Sequence, residues 1–180
     1  GQLGAGDGPV SSPAPLVDVD GLTVTFEVGR EGVWGTRPTY LRAVDDVSLS
    51  IARGETLGLV GESGSGKTTL GRAVLRRVDA ASGTITFDGQ DITQLRGEAL
   101  RRLRRNMQLV FQDPYASLNP RMTVAQLVAE PLQVHGLIDS IDAAMPQITT
   151  LLERCGLPAD AASRYPHAFS GGQRQRVGIA

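Results

Sequence analysis

At 180 residues, 41% hydrophobic and 21% charged, the chain has the length and composition of a globular domain with a core of its own. Its net charge of −1 offers no bulk attraction to nucleic acid or to a lipid surface. The single cysteine, Cys155, excludes an internal disulfide and fits a reducing compartment, and no apolar run approaches the roughly 20 residues of a membrane span.

Residues 1–15 (GQLGAGDGPVSSPAP) bury too little apolar surface to offset their ordering entropy, and are expected to be a flexible tail or linker. Leu16–Phe26 alternates apolar and polar residues around Gly21 and reads as a strand; Glu27–Thr39, with Gly, Pro and Trp34, reads as an inserted loop. Leu41–Ile51 alternates again, and Thr56–Val60 is a short apolar run of the kind expected from a strand buried on both faces. Thr68–Val78 has helical spacing. Thr84–Phe87 reads as a strand closed by a tight turn at Asp88-Gly89. Gly97–Arg105 is expected as a basic helix, Met107–Phe111 as a second buried strand, and Thr123–His135 and Asp139–Cys155 as helices, the last ended by Gly156. The chain starts on glycine, and its last residues, QRQRVGIA, read as a helix just beginning, so the sequence is expected to be a fragment.

Between the expected strand at 56–60 and the helix after it stands GESGSGKTT. Gly61, Glu62, Ser63, Gly64, Ser65, Gly66, Lys67 and Thr68 fit G-x-x-x-x-G-K-[ST] at every fixed position, in the strand–loop–helix setting the motif needs. Glycines let the backbone wrap a phosphate with N–H groups inward, and the helix start adds its positive end. Lys67, the only lysine in the chain, is a slim point charge able to reach the β- and γ-phosphates, and the Thr68 hydroxyl suits Mg²⁺. A nucleoside triphosphate is the expected ligand. A second glycine motif, Ser170, Gly171, Gly172 and Gln173, opens the final helical run, with Ser170 placed as its N-cap.

Together GESGSGKTT, FSGGQRQR and the glutamine of VFQDP resemble an ABC-type ATPase, from about Leu16 to the end of the chain. The resemblance implies an α/β P-loop fold with a mixed β core, an inserted helical subdomain and its C-terminal part missing. Residues 16–112 would be the nucleotide-binding core, 113–170 the helical subdomain and 171–180 the start of the signature helix. It implies ATP held on residues 61–68 with Thr69, Mg²⁺ met by Thr68 and Gln112, and catalytic roles for Lys67 and Gln112. It also implies that Ser170, Gly171, Gly172 and Gln173 meet the ATP of a partner subunit. The adenine is expected on an aromatic at the end of the first strand, where Phe26 matches and Tyr40 is the rival.

LRAVDDVSLSI, LRRNMQLVFQDPYASLNPRMTV and RYPHAFSGGQRQRVGIA narrow the resemblance to the oligopeptide, dipeptide and nickel branch of ABC importers. Ala168 stands where that branch usually has glutamate, which leaves the role of this position open. The implied partners are a second ABC ATPase domain (identical, different or fused in one chain), membrane permease subunits and, indirectly, an extracytoplasmic solute-binding protein. The implied place is the cytoplasmic face of the membrane. A soluble ABC ATPase without a permease and an ATP-binding module that never hydrolyses are the alternatives; ASLNP speaks against the first. The family's acidic Mg²⁺ ligand, catalytic glutamate and switch histidine follow the signature, so residues 1–180 alone are expected to be inactive.

The arginines of RGEALRRLRRN read as a solvated helix face, with no nucleic-acid partner expected. Cys155 reads as packing, and His135 and His167 lack partners at metal spacing.

Overall fold

Val17, Val19, Leu22 and Val24 are buried, so the alternation slips by one residue between Val19 and Leu22. The slip is a bulge. Val19 pairs with Leu49 and Leu22 with Val47, leaving an extra residue at Gly21, whose φ is +58°. Its N–H donates to Ser48 Oγ at 2.9 Å, so the bulged backbone is satisfied. The computed structural model describes residues 14–31, 37–111 and 118–180.

The bulged strand is β1, Val17–Glu31, paired antiparallel with β2, Arg37–Ile51. The expected loop at Glu27–Thr39 is therefore largely strand. The ladder carries on through Glu27↔Tyr40, Gly29↔Thr39 and Arg30↔Pro38 to Glu31↔Arg37. Pro38 is tolerated because β2 is an edge strand, where a missing N–H costs no ladder bond. The other edge of β1 takes β3, Ser82–Phe87, which turns through Asp88 and Gly89, both at positive φ, into β4, Gln90–Asp91. The order β2-β1-β3-β4 makes a wholly antiparallel sheet.

Neither apolar run expected as a buried strand forms one. Residues 56–60 and 107–111 carry no strand, and Val60 is 96% and Phe111 44% exposed. A strand buried on both faces needs neighbours on both edges and layers above and below; among the described residues the sheet gives neither run a partner.

Two helices accompany the sheet. α1, Lys67–Val74, buries Leu70 and Ala73, and α2, Gly97–Arg104, buries Leu100 and Leu103. α1 ends four residues before the expected Val78, because Arg76 turns left-handed at φ +54°. The buried Arg76 side chain locks this end, donating to the Ile92 carbonyl at 3.0 Å and pairing with Asp79 at 3.1 Å. Thr93 lies beside the Asp91 carboxyl; its hydroxyl and then its N–H hold that group below the usual carboxylate range.

The chain divides into two compact units, at Arg104 and Arg105. The second holds α3, Val124–Val134, α4, Ile141–Arg154, and α5, Gly171–Ile179. Val124, Val128, Ile148, Leu152, Phe169 and Val177 lie in its core. Each helix start is written in the sequence. Thr123 and Gln126 form a capping box on α3, Ser140 caps α4, and Gly156 at φ +74° follows its C-cap, Cys155.

Candidate functional site

The loop before α1 is shaped by two left-handed glycines, Gly64 at φ +83° and Gly66 at +88°. Gly66 is required twice over: a Cβ there would stand 2.2 Å from the Ala43 carbonyl oxygen of β2. Gly61 is pressed from its own loop, since a Cβ would meet Ser65 Oγ at 2.8 Å. Gly66 is also the N-cap of α1, with no side-chain capping bond, whereas α3, α4 and α5 are all capped by side chains. The first-turn N–H groups of α1 are thus left to an incoming anion, at the positive end of the helix.

Lys67, the first residue of α1, folds its ammonium back over the loop. Nζ donates to the carbonyls of Gly61 at 2.7 Å and Glu62 at 2.5 Å, and to Ser65 Oγ at 3.2 Å. The loop thereby holds the cation at its centre by two backbone carbonyls and a hydroxyl, and among the described residues no carboxylate pairs with it.

Around this loop lies an open pocket of about 530 Å³. Residues 64–69 form one wall, and Phe26, Leu41, Arg42 and Ala43 of the β1–β2 hairpin form the other. Of the residues expected from sequence to meet nucleotide, Phe26, Gly64, Ser65, Gly66, Lys67, Thr68 and Thr69 share this pocket. Gly61 and Glu62 contribute their carbonyls to Lys67, and Ser63 sits in the same loop. Tyr40 is 59% exposed and does not line the pocket; Phe26, at 39%, does. Gln112 lies outside the described residues.

Sequence reasoning missed Leu41, Arg42 and Ala43. They stand some twenty positions before the loop, and only the strand register brings them to it: Phe26 faces Leu41, Thr25 faces Arg42, and Val24 faces Val44. The extra residue on β2 is Ala43. The bulge sets Ala43 beside Arg42, and with Leu41 these consecutive residues line one pocket.

The second glycine motif belongs to the other compact unit. Ser170 Oγ accepts from the Gln173 N–H at 3.3 Å, and Gln173 Oε1 accepts from the Ser170 N–H at 3.0 Å. This reciprocal box fixes where α5 begins. Phe169 is buried beneath it, and its carbonyl accepts from Arg174 Nε at 3.0 Å. A Cβ at Gly172 would meet nothing within 4 Å. Nearby, the Tyr165 and His167 rings stack with centroids 5.8 Å apart. No helix among the described residues is long and apolar enough to cross a membrane, and none of those residues form a group of three or more His, Cys, Asp or Glu able to hold a metal ion.

The sequence pattern of the family described as ABC transporter matches residues 44–180. A glutathione import ATP-binding protein, GsiA of Salmonella typhi, is 51% identical over 166 residues, 92% of this chain and 26% of that protein. A putative peptide import ATP-binding protein of Brucella ovis is 48% identical over 92% of this chain and 50% of its own length. The chain thus spans between about a quarter and a half of the curated relatives it matches. Among solved structures, the ATP-binding cassette MJ0796, a dimer in a post-hydrolysis state bound to ADP and Pi, is similar with a TM-score of 0.76 at 28% identity. It covers 91% of this chain and 67% of its own. The cbiO1 protein of Clostridium perfringens, part of the ABC transporter complex cbiONQ, gives a TM-score of 0.69 at 26% identity, over 92% of this chain and 60% of its own.

Proposed function

The chain belongs to the ABC transporter family, and from that membership we propose that it is the ATP-binding part of an importer subunit that couples ATP binding and hydrolysis to the uptake of peptides or similar small solutes. One observation carries the site reading: a single pocket joins the glycine loop, residues 64–69, to the exposed aromatic Phe26. A phosphate chain and a flat base need those two surfaces side by side. The relatives named for glutathione and peptide import carry the solute class.

In this reading the N–H groups of the loop and of the first turn of α1 enclose the phosphates. Lys67 exchanges loop carbonyls for β- and γ-phosphate oxygens, and Phe26 supports the adenine. Thr68 is exposed and lines the pocket, and its hydroxyl suits a hard cation; with Gln112 it would hold Mg²⁺, which neutralises charge between the β- and γ-phosphates. Ser170, Gly171, Gly172 and Gln173 serve the nucleotide of a second ABC domain, a reading that the dimeric state of the MJ0796 cassette supports. Binding draws two such domains together, and hydrolysis, a property of the intact protein, releases them. Residues 16–112 act as the nucleotide-binding core and 113–170 as the helical subdomain. The stretch from Gln112 to Pro120 relays their motion to a permease at the cytoplasmic face of the membrane.

ATP titration and ATPase assays on the intact protein test the site. Lys67→Ala removes charge-assisted contacts and is expected to weaken ATP binding by about 10- to 100-fold. Lys67→Arg is expected to be nearly as damaging, because a bulky planar fork fits less well than a slim ammonium inside the ring of loop N–H groups beside the β- and γ-phosphates. Near-normal affinity for the arginine variant refutes that fit. Uptake of labelled peptides by cells with and without Lys67→Ala tests the transport assignment; unchanged uptake removes it.

A further inference from the structure

We propose that Arg42 is a nucleotide-contacting residue, gripping the ribose and α-phosphate end of the ligand, and that Asp45 holds its guanidinium until nucleotide arrives. The inference rests on the reading that this pocket takes ATP. Its basis is the order of residues along β2. Leu41 faces Phe26 across the ladder, and these two exposed apolar side chains form the base end of the pocket. Ala43 meets the phosphate end, its carbonyl lying where a Cβ of Gly66 would be. Arg42 stands between them, one residue or about 3.3 Å from each. In a nucleotide, what lies between the base and the β- and γ-phosphates is the ribose and α-phosphate.

Leu41, Arg42 and Ala43 all line the same pocket, and the bulge sets Ala43 beside Arg42, the two together opposite Thr25. Among the described residues, Arg42 and Lys67 are the cationic ones lining the pocket, and they are held differently. The Lys67 ammonium is seated on two carbonyls and a hydroxyl at the loop centre. Arg42 reaches Asp45 Oδ1 at 2.9 Å, with both side chains 60% exposed. Such a solvated pair contributes little, so a phosphate oxygen displaces the carboxylate at small cost. Guanidinium is the better head for this position, since its fork takes phosphate and ribose oxygens together.

The test is a titration of the intact protein with ATP and with ADP, for the unaltered protein and for Arg42→Ala, Arg42→Lys and Asp45→Asn. Both nucleotides carry the α-phosphate, so Arg42→Ala is expected to weaken ATP and ADP by the same factor, about tenfold. Lys67→Ala, by contrast, weakens ATP more than ADP. Arg42→Lys restores part of the loss. Asp45→Asn, which frees the guanidinium without removing it, tightens both nucleotides by about twofold. Unfolding midpoints are expected to stay level, because the pair lies at the surface. ATP and ADP binding within twofold of normal in Arg42→Ala overturns the inference and leaves the pocket reading standing. A loss confined to ATP overturns the assignment to the α-phosphate. If the unaltered protein binds neither nucleotide, the pocket reading itself fails and this inference falls with it.

Discussion

Gly66 combines two demands that no other residue type meets together. Its φ of +88° costs an L-residue about 1–2 kcal/mol, and any Cβ would press on the Ala43 carbonyl at 2.2 Å. Gly64 has a similar φ, +83°, but open space where the Cβ would go. The pair separates strain from contact. Gly64→Ala is expected to cost about 1 kcal/mol in stability and to bind ATP measurably. Gly66→Ala must also displace β2 from the loop, so it is expected to cost about 2 kcal/mol or more and to abolish ATP binding. Urea unfolding and ATP titration of the two variants check this, and equal behaviour would refute the contact with Ala43. At this scale the sequence was most legible. The pattern of Gly61, Gly66, Lys67 and Thr68 marks a phosphate loop because each residue type answers a local backbone or charge requirement. Arg42 was not legible, because only the pairing of β2 with β1 brings it to the pocket of a loop some twenty positions on.

Elements were readable where their signals are local and misread where they depend on distant partners. Of the helix starts, Ser170 was legible as a cap, Thr123 as the opening of a helix, and Ser140 only to within a residue, since that helix was expected from Asp139; all three side chains take up N–H groups three residues on. The cap of α3 is the clean test of this, since Val124 at its first position is fully buried. Thr123→Ala is expected to lower stability by about 1 kcal/mol, and Thr123→Gly by only a few tenths, by urea unfolding. An alanine variant as stable as the unaltered protein would show that the hydroxyl contributes nothing. The hairpin and the apolar runs were the misreadings. Glycine, proline and tryptophan between Glu27 and Thr39 signal a loop locally, yet β1 runs on to Glu31 and β2 already begins at Arg37, because pairing along an edge tolerates Pro38. Residues 56–60 and 107–111 have the composition of buried strands but no ladder among the described residues. Composition reports what a segment can bury; only its neighbours decide whether it does.

For the molecule as a whole, a telling residue is Gly172. It lies in the first turn of α5 with no atom of the described residues' packing within 4 Å of a would-be Cβ, so nothing among the described residues requires glycine there. Glycine inside a helix is about 0.5–1 kcal/mol worse than alanine, a standing cost without an internal return. The return is expected outside the chain, where a bare helix start lets a phosphate of another subunit's nucleotide approach the backbone. Gly172→Ala in the intact protein therefore separates two properties that a merely structural residue would move together. Stability is expected to stay level or rise slightly. ATP affinity under conditions that keep the domains apart is expected to remain within about twofold of normal, because the loop pocket lies in the other compact unit. ATPase activity, which on this reading needs α5 of one domain against the nucleotide of the next, is expected to fall by about tenfold or more. Calorimetry, ATP titration and a steady-state ATPase assay read the three quantities. Full ATPase activity in Gly172→Ala would mean that α5 does not meet a partner's nucleotide through this glycine, and the shared-site reading would lose its support in this chain.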